Sequence, residues 1–146
     1  MTIAQPAFWL IAAILAQGAL ALGLLWYLGT IRIPMVIKGE VRIDDIALER
    51  KGWPKREWQA SNAFDNQFQL PVLFYVGAGL ALYFGATLFE LGLAWLFVAS
   101  RYVHAFVHVT DNHVIRRFAA YFVGLALLCV FWLDLAVRLV LALQRP

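Results

Sequence analysis

Charge is what this sequence has least of. Only 14% of its 146 residues are Asp, Glu, Lys or Arg, where a soluble domain carries about 25%. Hydrophobic residues make up 63% and the mean hydropathy is +0.74. So much apolar side chain cannot be hidden in one soluble core of this size. The chain needs lipid as its solvent. No run of Lys and Arg is dense enough to engage nucleic acid, so no nucleic-acid partner is expected. The single cysteine, Cys129, excludes an intrachain disulfide. No Lys or Arg precedes Arg32, and the apolar stretch from Ala7 to Ile31 exceeds the roughly 7–15 residues of a signal-peptide core. A membrane span is the reading it supports. Internal repeats and low-complexity segments are absent.

What is present is a succession of long apolar stretches. A helix needs about 20 such residues to cross the hydrocarbon. Residues 7–31 qualify, broken only by Gln17. A second span runs from about Leu70 to Phe89 with a polar helical approach from near Ser61, about 62–89 in all. A third covers 91–109 and a fourth 116–143. The expected fold is an all-α membrane protein, a single four-helix transmembrane bundle over residues 1–146. The one long connection, 32–58, carries Arg32, Lys38, Arg42, Arg50, Lys51, Lys55 and Arg56. The connection before the fourth span adds Arg116 and Arg117, while the turn at Glu90 has no Lys or Arg. Positive residues favour the cytoplasmic side, so both termini are expected outside it. Arg138 and Arg145 weaken the contrast without reversing it. Trp53 and Trp58 suit either an interfacial aromatic belt or ordinary loop packing. The segment from Val41 to Gly52 could be an interfacial helix, a lid or a tether.

Gly77, Ala81 and Gly85 recur every fourth residue, a small-residue stripe along which helices pack closely within or between subunits. Pro71 is expected to bend the second helix or loosen its backbone near the cytoplasmic end. Asp134 and Arg138, at i and i+4, are expected to neutralise each other. The chemistry-bearing residues gather toward one end. Asn62, Asn66 and Gln69 share a helix face, as do Arg101, His104 and His108. An arginine at the depth of Arg101 costs several kcal/mol if it faces lipid, so it must face the bundle, a cleft or an anion. Interhelical polar contacts in membranes contribute only about 0.6 kcal/mol each; three amides, an arginine and two histidines exceed what holding register requires. His104 and His108 have a spacing that suits a metal, but a tetrahedral site needs three or four ligands and only Asp111 is near. No metal is expected. Arg116 and Arg117 are headgroup anchors unless one turns inward toward a substrate.

The run Asn66-Gln67-Phe68-Gln69-Leu70-Pro71-Val72-Leu73-Phe74-Tyr75, with Arg101-Tyr102-Val103-His104 and Arg117 sixteen residues after Arg101, resembles the MAPEG family. These are the membrane-associated proteins in eicosanoid and glutathione metabolism, and the likeness spans essentially the whole chain, in the manner of a divergent bacterial-type member. The resemblance implies a homotrimer in a bacterial inner membrane, with glutathione as co-substrate in a cleft between subunits near the cytoplasmic face. It implies that Asn62, Asn66, Gln69, Arg101, His104 and His108 line the glutathione cleft. It gives Arg117 the catalytic task of stabilising the thiolate. Three positions depart from the family pattern: Gln69 stands for a glutamate, Asn62 for an arginine and His108 for a tyrosine. The function implied is a glutathione-dependent transferase or peroxidase acting on lipophilic electrophiles. The alternative is a non-catalytic member of the same fold that binds a membrane lipid or serves as a scaffold.

Overall fold

The structure, a computed structural model, describes residues 5–47 and 52–144. Arg50, Lys51 and Arg145, counted above among the positive residues, lie outside the described residues. Six α-helices occur among those described, and no strand. They are α1 (Gln5–Ile37), α2 (Ile43–Ile46), α3 (Lys55–Asp65), α4 (Leu70–Phe84), α5 (Leu88–Val109) and α6 (Val114–Leu143). Among the described residues, three segments are long and apolar enough to cross a membrane: Gln5–Ile37, Lys55–Phe84 and Val114–Leu143. Helix α5, at 22 residues, is not among them, because Glu90, Arg101, His104 and His108 lower its hydropathy. Those side chains are all buried.

Local sequence explains where each helix starts and stops. Pro71 does not bend a continuous helix. The chain turns through a short 3-10 segment, Asn66–Phe68, and Pro71 sits in the first turn of α4, where its missing N–H breaks no intrahelical bond. Helix α4 ends at Gly85, whose φ of +86° is accessible to glycine at little cost. Glu90 is not at the tip of the hairpin turn. It closes a capping box with Thr87 at the start of α5, satisfying two N-terminal backbone donors reciprocally. The turn between α5 and α6 passes through Asn112 at φ +52°, a region asparagine tolerates.

Helix α5 is the centre of the bundle, packing chiefly on α6 and also against α1, α3 and α4. The main core joins Leu10 and Ala13 of α1, Phe74 and Ala78 of α4, Leu93 and Phe97 of α5, and Leu128, Phe131 and Leu135 of α6. Phe74 stacks on Phe97 with ring centroids 4.8 Å apart. In lipid there is little hydrophobic gain in bringing helices together, so close packing and polar contacts must hold them. The small residues serve that purpose within the subunit. A Cβ on Gly77 would lie 3.2 Å from the Phe131 ring, and one on Gly124 would lie 2.8 Å from Ser100 Oγ. Gly85, by contrast, ends its helix and meets nothing within 4 Å, so the small-residue stripe stops at Ala81.

Polar ties fix the ends. Glu57 of α3, fully buried, accepts from Arg32 of α1, whose guanidinium lies over Trp53 at 5.2 Å. Trp58 Nε1 donates to the Trp53 carbonyl at 3.1 Å. These tryptophans pack the α1–α3 connection. Arg138 pairs with Glu90 of α5 rather than with Asp134, which has no hydrogen-bond partner at its buried Oδ2. An arginine reaches several residues' breadth, and the buried Glu90 carboxylate needs a cation more than the half-exposed Asp134 does.

Candidate functional site

At the end of the bundle where α1 stops and α6 begins, three elements enclose a cavity of about 450 Å³. The α3 helix and the 3-10 turn supply Asn62, Asp65, Asn66 and Gln69; α5 supplies His104 and His108; α6 supplies Val114, Arg117, Phe118 and Tyr121. Helical spacing makes part of this possible. Residues three, four and seven apart lie on one helix face, as His104 and His108 do on α5. Asn66 and Gln69, expected to share a helix face with Asn62, instead follow the end of α3 and reach the same space through the 3-10 turn.

Six of the seven residues singled out from the sequence line this cavity directly. The seventh, Arg101, lies immediately behind the lining. It is completely buried, donates through Nη2 to the Asn66 carbonyl at 3.2 Å, and holds its guanidinium 5.7 Å from the Tyr121 ring. Its Nε and Nη1 are buried with no hydrogen-bond partner among the described residues. Gly124 of α6 lies beside it: a Cβ there would be in ordinary contact with Arg101 Cδ, at 3.7 Å, and would crowd Ser100 Oγ.

Neighbouring groups fix one ring nitrogen of each histidine. His104 Nδ1 lies 2.9 Å from the Arg117 carbonyl; a carbonyl only accepts, so Nδ1 donates, and the buried Nε2 has no partner among the described residues. His108 Nε2 lies 3.2 Å from Arg117 Nη1. Arginine only donates, so this Nε2 accepts and the proton sits on Nδ1. The His108 imidazole is therefore neutral in this arrangement. The two rings meet edge to face at 5.7 Å. Of the two arginines at the start of α6, Arg117 turns inward, bonding His108 and Asn112 Oδ1, while Arg116 turns out to Asp111 at 3.2 Å.

The amides divide their work. Asn66 Nδ2 caps back to the Asn62 carbonyl at 2.8 Å. Gln67 points away from the cavity. Its Oε1 accepts from Gln17 of α1 at 2.9 Å, and its Nε2 donates to the Ala63 carbonyl at 3.0 Å. That buried pair ties the 3-10 turn to α1. Sequence reasoning missed Asp65, Tyr121 and Asn112. The first two had a usable signal, since Asp65 is three residues from Asn62 and Tyr121 four from Arg117. Asn112 had only its place in a short turn.

A larger hollow, about 730 Å³, runs along one flank of α1 past Leu22, Leu25, Trp26, Gly29 and Ile33. Its walls belong to a single helix, and Thr30 is its only polar side chain. It is an apolar helix flank without groups that could do chemistry, so the smaller polar cavity is the functional candidate.

An all-helical bundle with membrane-length apolar helices and a polar cavity at one end defines an integral membrane protein. The chain belongs to the MAPEG family, whose sequence model matches residues 10–137. That range takes in the whole cavity. No individual curated protein and no solved structure matches the chain.

Proposed function

We propose that the protein is a glutathione-dependent membrane enzyme, of transferase or peroxidase type, acting on lipophilic electrophiles. The observation that carries this reading is Arg101, a fully buried guanidinium with two nitrogens unpartnered behind a cavity wall. A buried cation left without hydrogen-bond partners costs several kcal/mol. An anionic ligand in the cavity beside it offsets part of that cost by charge attraction. Glutathione brings two carboxylates for guanidinium groups and a thiol whose ordinary pKa is about 8.5. Arg117, which lines the cavity from α6, is a cation beside which a thiolate is favoured.

The chemistry follows from that placement. The thiol gives up its proton to solvent, and the thiolate pairs with Arg117. The sulfur lone pair then forms a C–S bond to an electrophilic carbon as that carbon's leaving group departs with its bonding pair. Alternatively it attacks the outer hydroperoxide oxygen, breaking the O–O bond to give a sulfenic acid and an alkoxide that takes up a proton. Asn62, Asn66, Gln69 and the unpartnered Nε2 of His104 are placed to bond the backbone and amino groups of the tripeptide. The apolar partner has its own wall. Val114 and Phe118 line the cavity, and Phe118 stacks on the exposed Phe122 at 6.3 Å, a strip leading outward along α6.

The same reading includes four membrane spans, with α5 as the fourth, and a homotrimer whose cavity faces a neighbouring subunit. A helix of 22 residues at about 1.5 Å per residue is long enough to cross, and the polar side chains of α5 are turned into the bundle. Arg32, Lys38, Arg42, Arg116 and Arg117 share the cavity's end, and this excess of positive charge supports a cytoplasmic location for that end.

The test is calorimetric titration of detergent-purified protein with glutathione, with Arg101→Ala as the control. Micromolar binding weakened at least about tenfold in the variant supports the reading. No binding by folded native protein would overturn it. The apolar strip beside a cationic cavity equally suits an anionic lipid, and a lipid co-purifying in the cavity would then make this a non-catalytic lipid-binding member.

A further inference from the structure

The geometry points to Asn112 as a positioning residue that, together with His108, fixes the guanidinium of Arg117. For its catalytic consequence the inference rests on the glutathione reading; the clamp itself does not.

Arg117 is held at three places. Its backbone N–H donates to the His113 carbonyl at 3.0 Å, and its carbonyl accepts from His104 Nδ1 at 2.9 Å. Its side chain is held at one nitrogen only. Nη1 carries two protons, and it donates to Asn112 Oδ1 and to His108 Nε2 at 3.2 Å. Nε and Nη2 make no bond to a described residue. A long side chain with many rotamers of similar energy is thereby tethered by one nitrogen, leaving two donors for a ligand in the cavity it lines.

Asn112 is suited to this place by its backbone as well as its amide. It sits at φ +52°, and its N–H closes the end of α5 onto the Val107 carbonyl at 2.8 Å. Asparagine and glycine both adopt this conformation readily. The turn and the clamp can therefore be separated by mutation: Asn112→Gly keeps the backbone and deletes the acceptor, and Asn112→Asp keeps both.

The experiment uses the full chain in detergent. Phenylglyoxal condenses across the two terminal nitrogens of an arginine, so a guanidinium engaged at Nη1 reacts slowly. The modification rate of Arg117 is read by peptide mass relative to Arg116, which is 69% exposed. Asn112→Gly is expected to raise that ratio on the order of tenfold, the worth of one hydrogen bond to a charged group. Asn112→Asp should leave it near the native value. An unchanged ratio in Asn112→Gly, or an equal rise in Asn112→Asp, overturns the clamp. Should Asn112→Gly not fold, His108→Leu against His108→Gln reads the second arm of the same clamp, with only the leucine variant expected to release Arg117.

Repeating the native measurement with glutathione separates the two claims. Protection of Arg117 supports glutathione at this cation, and the Asn112→Gly protein should then bind glutathione with its thiolate absorbance diminished. Absence of protection overturns the glutathione placement while the ratio in ligand-free protein still decides the clamp.

Discussion

Glu90 and Arg138, 48 residues apart in the chain, form a partly buried ion pair where α4, α5 and α6 converge. Glu90 is completely buried and already caps α5 through Thr87. Arg138 also donates through Nη2 to the carbonyls of Phe84 and Gly85, at 3.2 and 2.8 Å. One guanidinium thus closes the open end of α4 and compensates the carboxylate that opens α5. The exposed carbonyls at the end of a helix need such a partner in lipid, because no water is there to serve.

Removing one partner of this pair should be severe. Arg138→Leu is expected to destabilise the protein by about 3–5 kcal/mol, because it strands the Glu90 charge. Asp134→Asn, which touches no bond in the structure, should be neutral or mildly stabilising, since Asp134 Oδ2 is buried without a partner. Unfolding monitored by tryptophan fluorescence in a mixed-detergent titration checks both. Equal losses in the two variants would show that Asp134, and not Glu90, is the partner that matters.

The amide pair between α1 and the 3-10 turn gives a second measurement. Gln17→Leu leaves Gln67 Oε1 buried and unsatisfied, at a cost of about 1–3 kcal/mol. Replacing both by leucine should recover much of that loss. A double-mutant cycle with a coupling energy near zero would mean that the contact does not hold the turn.

Gly124 sets the distance between α5 and α6 beside Arg101. In Gly124→Ala the new Cβ would meet Ser100 Oγ, itself bonded to the Phe97 carbonyl at 2.6 Å. Separation of the helices should cost about 1–3 kcal/mol and weaken glutathione binding by displacing Arg101. A variant with native stability and affinity would show that this interface yields without effect on the cavity.

Arg117→Ala separates binding from chemistry. If Arg117 pairs with the thiolate, turnover should fall about a hundredfold or more, as when one donor to a developing anion is removed, with a smaller change in KM. A rise in KM at unchanged kcat would assign Arg117 to ground-state binding instead. Steady-state kinetics with a model electrophile reads both quantities.

Much of this architecture was legible because it follows from solvation. A chain with 63% hydrophobic residues, arranged in apolar runs of about 20 residues, crosses lipid as helices, which satisfy every backbone polar group internally. The polar residues on α3, α5 and α6 were legible as a cluster because helical periodicity puts residues three, four and seven apart on one face. Asn62, Asn66, Gln69, His104, His108 and Arg117 do line one cavity.

The pairings were not legible. Asp134 and Arg138 satisfy the i, i+4 rule, yet Arg138 reaches across to a buried glutamate on another helix, because an exposed ion pair contributes little and a stranded buried charge costs much. Pro71 reads as a kink in one long helix, and only the 3-10 turn before it shows that it begins a new one. Asn112 carries no motif; its significance comes from the direction of Arg117's side chain, which the packing of α5 on α6 decides. The sequence by itself determined the solvent, the helical class and the face on which chemistry could gather. The tertiary structure alone decided which charge answers which, since that depends on distances between helices that no one-dimensional spacing contains.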